Sequence, residues 1–318
     1  MSSPREGEGA SEAGGLGGLR RKAAPLLGLL ALGFVAVAAV ELARRWDDRP
    51  VTIDVTIALL ALAPALAAAL VQGFAWIRLV ERMAGHAVPR LPALALYLDS
   101  QLARYVPGKV GLPLVRMAGA DRLGVPARLV GASVGIELVS WLGVGGTVGA
   151  AAMALVLRDA RGIGGVVGDG AALAAALLLV LTLALLVVDR ARFPRPLASL
   201  WDAGRGPLLP RGVPLLHAGY WCLLGLHGVL LVRAAGATHG EAAGFPALVL
   251  APIAGFLALF APAGAGVREV VLALVLAPSL GSAGALAVAL LARGASLASD
   301  VGVWALVRVA AGSAARGA

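Results

Sequence analysis

The sequence predicts an all-α integral membrane protein, a polytopic bundle of about six helical spans and two re-entrant helical hairpins arranged as an inverted repeat. Of its 318 residues, 59% are hydrophobic and only 14% are charged. The mean hydropathy is +0.88. The apolar residues also come in long blocks, and about 20 of them in a helix cross the hydrocarbon core of a bilayer. These observations exclude an ordinary soluble fold.

Six apolar blocks are long enough to span a membrane without interruption. They cover about 24–43, 54–77, 129–157, 170–188, 213–235 and 281–307. Two further blocks are interrupted: block 91–118 by VPGKVG (break 1, residues 106–111) and block 244–278 by APAGAG (break 2, residues 261–266). Proline removes a backbone donor and glycine adds backbone freedom, so each break predicts two short helices that meet inside the membrane.

The ends of the chain are predicted to lie outside this bundle. Residues 1–19 are rich in Gly, Ser and Glu, which is typical of a disordered tail, and 311–318 form a short C-terminal tail. The basic triplet at 20–22 precedes an apolar run that extends to about residue 43, longer than the core of an export signal. We therefore expect an uncleaved first span and one transmembrane domain over 20–310.

The distribution of arginine predicts the topology. If the N-terminus is cytoplasmic and block 91–118 turns back, most basic residues lie inside, as the positive-inside rule requires. The inside group is Arg20, Arg21, Lys22, Arg78, Arg82, Arg90, Arg122, Arg128, Arg190, Arg192, Arg195, Arg205 and Arg211. If block 91–118 crossed instead, the last five of these would be external. The sequence thus predicts a multi-pass inner-membrane protein whose second interrupted block enters from the opposite face.

The resulting halves, about 24–157 and 166–310, also share a sequence pattern. Pro107 and Gly111 of break 1 match Pro262 and Gly266 of break 2. The helix after each break repeats a hydroxyl, an acid and a tryptophan at four-residue steps, which places them on one helical face. These residues are Ser133, Glu137 and Trp141 in the first half and Ser296, Asp300 and Trp304 in the second.

Interrupted helices at corresponding positions of inverted repeats indicate the substrate site of a transporter. A half-helix that begins near the midplane presents unpaired N–H groups and the positive end of its dipole, which suits an anionic group such as a phosphate. The candidate substrate-binding residues are Arg104, Lys109, Arg116, Gly264, Gly266 and Arg268. Alternatively, the arginines extend to the membrane interface and the breaks are plain turns.

Ionisable residues inside spans are costly, at about 2.5–3.5 kcal/mol each on insertion scales, so we expect them to face the interior. They are interpreted as counter-charges to the basic residues of the breaks, or as proton acceptors. These residues are Glu137, Glu269, Arg293 and Asp300. The alternative is a structural salt bridge between helices, for example Arg293 with Glu137. For Arg268 and Glu269 the alternative is a local ion pair or charges that suit a helix start.

The sequence gives little support for a disulfide, a metal site, a hydrolase site or a nucleic-acid-binding surface. The single cysteine, Cys222, excludes an internal disulfide and a thiol-based metal site, and the histidines lack the spacing of metal ligands. No phosphate-binding loop, nucleophile elbow or metalloprotease helix occurs. The arginines form no basic face for nucleic acid. We therefore expect no cofactor, no metal and no nucleic-acid partner.

The motifs RYVPGKVG, RMAGADRLGVP, GIELVSW, LFAPAGAGVREVVLALVL and ALLARGASLASD resemble the flippase-like transmembrane family, typified by the membrane region of lysylphosphatidylglycerol synthases. The resemblance covers about residues 24–310. It implies movement of lipids, including aminoacylated phosphatidylglycerol, between leaflets. The family has Pro-Gly-Gly where this chain has Pro262, Ala263 and Gly264. The soluble aminoacyltransferase domain of larger members is absent from this sequence, so the resemblance does not imply lipid synthesis.

The predicted function is therefore that of a flippase or transporter for an anionic, aminoacylated or polyprenyl-linked lipid, not of an enzyme. A lipid-modifying or glycosyltransferase partner and a homo-oligomer are compatible with it. Two other classes stay open. An integral-membrane enzyme would need acids and histidines clustered near one face, and a noncatalytic membrane partner would tolerate neutralisation of Lys109 and Glu137 together.

Overall fold

The computed structural model describes residues 51–103, 111–158, 163–187, 209–237, 239–258, 264 and 266–316, and all regular structure in these ranges is helical. The predicted tail 1–19 and the predicted span 24–43 lie outside them. The α-helices are α1 Val55–Leu60, α2 Leu62–Ala84, α3 Arg90–Ala103, α4 Gly111–Ala118, α5 Ala127–Leu157, α6 Ile163–Val187, α7 Gly212–Ala234, α8 Gly244–Leu257 and α9 Val267–Arg316. Short 3-10 turns occupy Ala120–Leu123 and Glu241–Ala243.

Five stretches of the described chain are long and apolar enough to cross a membrane. They are Val55–Ala84, Ala127–Leu157, Gly164–Val187, Gly212–Ala234 and Val267–Ala310. Each overlaps one of the uninterrupted blocks predicted from the sequence. The all-helical class and the multi-pass membrane character are therefore confirmed for the described residues.

Helix α9 is two helices joined at a sharp bend. Gly281 lies at φ 68° and ψ 173°, a backbone conformation that essentially only glycine adopts. We name the arms α9a (267–280) and α9b (282–316). The bend falls at the boundary predicted between the second interrupted block and the last span. Arm α9b stays helical to Arg316, into the segment assigned to the C-terminal tail.

Antiparallel helices α2 and α7 form the centre of the bundle. The ring nitrogen Nδ1 of His227 lies 2.8 Å from the carbonyl oxygen of Ala61, just before α2, and Gly219 lies beside Val71. Helix α5 packs across both, with Gly145 directly against the buried ring of Trp221. Small residues at such crossings let helices approach closely, which is how membrane helices gain packing energy.

Helices α3 and α4 form an antiparallel hairpin, which we call hairpin 1. Gly111 at the start of α4 lies against Ala103 at the end of α3, and Gly119, just after α4, lies against Leu96. Between them, Arg116 Nε donates to Ser100 Oγ at 2.9 Å. Later residues of α4 therefore contact earlier residues of α3, so the two helices run antiparallel.

Helices α8 and α9a form a second antiparallel hairpin, hairpin 2. Near its tip, Gly255 of α8 lies against the side chain of Arg268. Near its base, Gly240 lies beside Ser279. Between these points, Leu248 and Leu272 share one apolar cluster. The chain therefore turns back over break 2 as it does over break 1.

Gly228→Ala should destabilise the fold, because α7 and α8 cross backbone to backbone at this point. A Cβ on Gly228 would meet the Gly244 carbonyl and would lie 2.8 Å from Leu248 Cβ, and backbone cannot move aside as a side chain can. We expect a loss of about 1–3 kcal/mol in the free energy of unfolding, measured in mixed detergent micelles. Gly294→Ala is the matched control because a Cβ there has no atom within 4 Å. A loss in the control as large as in Gly228→Ala would contradict this packing.

Candidate functional site

Helix α5 carries three buried polar residues on one face, Ser133, Glu137 and Ser140. Each is bonded to another helix. Ser133 Oγ accepts a 2.9 Å bond from the indole of Trp76, and Ser140 Oγ lies 2.7 Å from Nδ1 of His217. The amide of Gln72 donates to Glu137 Oε1 at 3.3 Å. The expectation that Glu137 faces the interior with partners is therefore confirmed.

The main partner of Glu137 is Arg116, which reaches it from hairpin 1. Nη1 of Arg116 donates to Glu137 Oε2 in a buried ion pair, while its Nε binds Ser100. Arg116 is 0% exposed, so the alternative that it extends to the membrane interface is wrong. Its Nη2 atom and Oε1 of Gln72 are buried without a hydrogen-bond partner among the described residues.

Two aromatic rings enclose the Arg116 guanidinium. Its Cζ lies 4.7 Å from the ring centroid of Trp76 and 4.7 Å from that of Tyr97. Arginine suits this position because its flat, weakly hydrated head stacks on aromatic faces and still donates in its plane. The rings and the carboxylate together fix α4 against α2, α3 and α5.

At break 2 the described glycines adopt the left-handed backbone conformation. Gly264 has φ 69° and Gly266 has φ 84°. A Cβ on Gly264 would also lie 2.7 Å from the Cα of Gly255, so two backbones touch there. Both the backbone angle and the close contact require glycine at this position. The backbone is therefore irregular at Gly264 and at Gly266.

The amide of Gly266, expected to be unpaired, is already bonded. It donates to Glu269 Oε2 at 2.7 Å, and Arg293 Nη1 donates to the other oxygen, Oε1, at 2.6 Å. A carboxylate in the first turn suits the positive end of a helix dipole and caps its amides. The pairing of Arg293 with Glu137 is therefore wrong, because each acid has a different arginine partner.

The two hairpins contact α5 at positions about one helical turn apart. Hairpin 1 contacts Glu137 through Arg116, and hairpin 2 contacts Trp141 through Phe256, with ring centroids 5.9 Å apart. Four residues separate the two positions, or about 6 Å along the helix axis. Both positions lie well inside α5, which has 31 residues.

Hairpin 1 also contacts α9b. Asp99 Oδ2 accepts a 2.5 Å bond from Nη2 of Arg308, and Asp99 Oδ1 accepts a 2.9 Å bond from the indole of Trp304. Trp304 is the last residue of the predicted polar face in the second half. Each hairpin therefore packs against a long helix of the other half.

The other predicted site residues have different positions. Arg104 and Lys109 lie outside the described residues, as do Pro107 and Pro262. Arg268 packs its side chain on Gly255, at the crossing of α8 and α9a. Asp300 is buried in α9b, with 8% of its surface exposed. The structure thus brings together Arg116 and Glu137 in one cluster and Gly266, Glu269 and Arg293 in another.

Several members of the first cluster were not predicted from the sequence. Gln72, Tyr97 and Ser100 were not identified, although an isolated glutamine or serine in an apolar span is a signal that its side chain needs an internal partner. The buried ring of Trp76 packs in an apolar cluster of the described residues. Its bond to Ser133 and its contact with Arg116 were not predicted.

No protein-family model matches this chain. No curated protein sequence matches it either. The function is therefore inferred from the geometry of the two hairpins and of the charged clusters.

Proposed function

We propose that this protein moves an anionic or aminoacylated phospholipid, or a polyprenyl-linked lipid, between the leaflets of the cell inner membrane. The observation that carries this proposal is the meeting of the two hairpins at α5, between Glu137 and Trp141. An irregular backbone within a membrane persists only where protein or a water-filled cavity surrounds it, and transporters build their substrate sites from such breaks.

Several observations support an inverted repeat of two re-entrant hairpins. Helices α2 and α7 each have 23 residues, and α3 and α8 each have 14. Arg116 of hairpin 1 contacts α5 nearer its start, at Glu137, whereas Leu250, midway along α8 of hairpin 2, contacts α5 nearer its end, at Gly149. In this proposal the hairpins enter from opposite faces and the N-terminus is cytoplasmic.

The proposed site reduces the cost of bringing a polar headgroup into hydrocarbon, which is the barrier to lipid movement. The headgroup phosphate contacts Lys109 of break 1 and Arg268 beside break 2, and the acyl chains stay in the bilayer. Glu137 neutralises Arg116, and Glu269 neutralises Arg293. Asp300 supplies a further buried carboxylate. The proposal agrees with the resemblance to flippase-like membrane regions.

The proposal is tested with the full-length protein in liposomes that carry a trace of fluorescent phosphatidylglycerol. A membrane-impermeant reductant destroys the label in the outer leaflet. We expect the protein to expose the inner-leaflet label as well, at a rate well above that of protein-free liposomes. Label that stays protected, in vesicles shown to contain folded protein, would contradict lipid movement. Chemical change of the lipid, detected by mass spectrometry, would favour a membrane enzyme instead.

A further inference from the structure

A separate cavity opens between α2 and α7, close to the start of α3. It has a volume of about 260 Å³. Closed small-molecule pockets usually have about 300–1,000 Å³, so this cavity suits a single chain better than a whole polar ligand. None of its lining residues belongs to the clusters around Arg116 and Glu269.

The inner part of this cavity is apolar. Val71, Phe74 and Ile77 of α2 form one wall, and Leu216 of α7 forms the facing wall. Val71 and Phe74 are one turn apart on α2, so the wall follows the helix axis as an acyl chain would. Phe74 is 43% exposed, which leaves the groove open along its side.

The outer rim of the cavity is charged. It is formed by Arg78 and Glu81 near the end of α2 and by Arg90 at the start of α3. Nη1 of Arg78 lies 3.6 Å from Oε2 of Glu81. The Arg78 side chain is 61% exposed, so its guanidinium remains accessible. Two arginines against one carboxylate leave a net charge of +1 on the rim.

We propose that this groove binds one anionic phospholipid, with an acyl chain between Phe74 and Leu216 and its phosphate at Arg78 and Arg90. The apolar wall and the cationic rim follow one another along α2, as the chain and the phosphate follow one another in a lipid. Basic pockets between membrane helices bind anionic headgroups in this manner. The site is independent of the proposed transport path, and it would persist if the protein moved no lipid.

Native mass spectrometry of the full chain in detergent tests this site, by titration with phosphatidylglycerol and with phosphatidylcholine. We expect tighter binding of phosphatidylglycerol. Arg78→Gln and Arg90→Gln should each weaken it about fivefold, and together about 25-fold. Leu216→Trp should also weaken it, because the larger ring fills the groove. Arg82→Gln is the matched control, since Arg82 is exposed one turn further along α2 but does not line the cavity.

Four results would overturn the site. Equal affinity for both lipids would show that the groove holds only ordinary boundary lipid. A loss in Arg82→Gln as large as in Arg78→Gln would show diffuse surface charge. Displacement of the lipid by inorganic phosphate alone, with Leu216→Trp unchanged, would show a free-phosphate site. A photoactivatable acyl chain should label Phe74 or Leu216 in the wild type, and labelling elsewhere would place the lipid differently. Binding is measured without transport, so loss of this site and loss of transport are separate results.

Discussion

Glu137→Gln should lower the free energy of unfolding by about 3–5 kcal/mol, the largest loss of stability that we expect from one substitution in this protein. The change keeps the shape of the side chain but removes the negative charge beside Arg116, which has no exposed surface. An unpaired buried cation costs far more than the net value of its ion pair. The free energy is measured by unfolding the purified protein in mixed detergent micelles.

Two control variants separate this explanation from general sensitivity of the bundle. Replacing both partners, as Arg116→Met with Glu137→Leu, should recover most of the loss because no unpaired charge remains. Arg308→Ala breaks an ion pair whose arginine side chain is 44% exposed, and we expect a loss of no more than about 1 kcal/mol. If Glu137→Gln costs less than Arg308→Ala, the Arg116 cluster does not stabilise the fold as argued.

If lipid moves as proposed, Lys109→Ala and Arg268→Ala should each slow it about 10- to 150-fold, because each would remove a charged donor that the proposed site offers the headgroup phosphate, worth about 1.5–3 kcal/mol. The measurement is the liposome assay with fluorescent phosphatidylglycerol. Lys22→Ala is the matched control, since Lys22 is the only other lysine and lies in the predicted N-terminal basic triplet. Wild-type rates in both single variants and in the double variant would show that the phosphate binds elsewhere.

The helices were largely predictable because long apolar blocks and their interruptions set their bounds. Block 129–157 became Ala127–Leu157, and block 213–235 became Gly212–Ala234. The prolines and glycines of the breaks, together with the apolar residues around them, predicted four short helices where the structure has α3, α4, α8 and α9a. These features are local, so the sequence carries them directly.

The partners of the charged residues were not predictable in the same way. One alternative drawn from the sequence paired Arg293 with Glu137, whereas Arg293 binds Glu269 and Glu137 binds Arg116. Pairing depends on which helices pack together and on how they are rotated, and helix periodicity gives only the face of each residue. The bond from Gly266 to Glu269 is different, because a glutamate three residues after a helix start is a recognisable capping signal.

The central claim is that the two hairpins enter the membrane from opposite faces. It is tested most directly by single-cysteine labelling with a membrane-impermeant maleimide in oriented vesicles, with Cys222 replaced by serine. His86→Cys and Asp121→Cys flank hairpin 1, and His239→Cys and Ser279→Cys flank hairpin 2; all four positions are exposed. We expect the first pair to react from one face and the second pair from the other. If His86→Cys and Asp121→Cys react from opposite faces, helices α3 and α4 cross the membrane, and the claim is wrong.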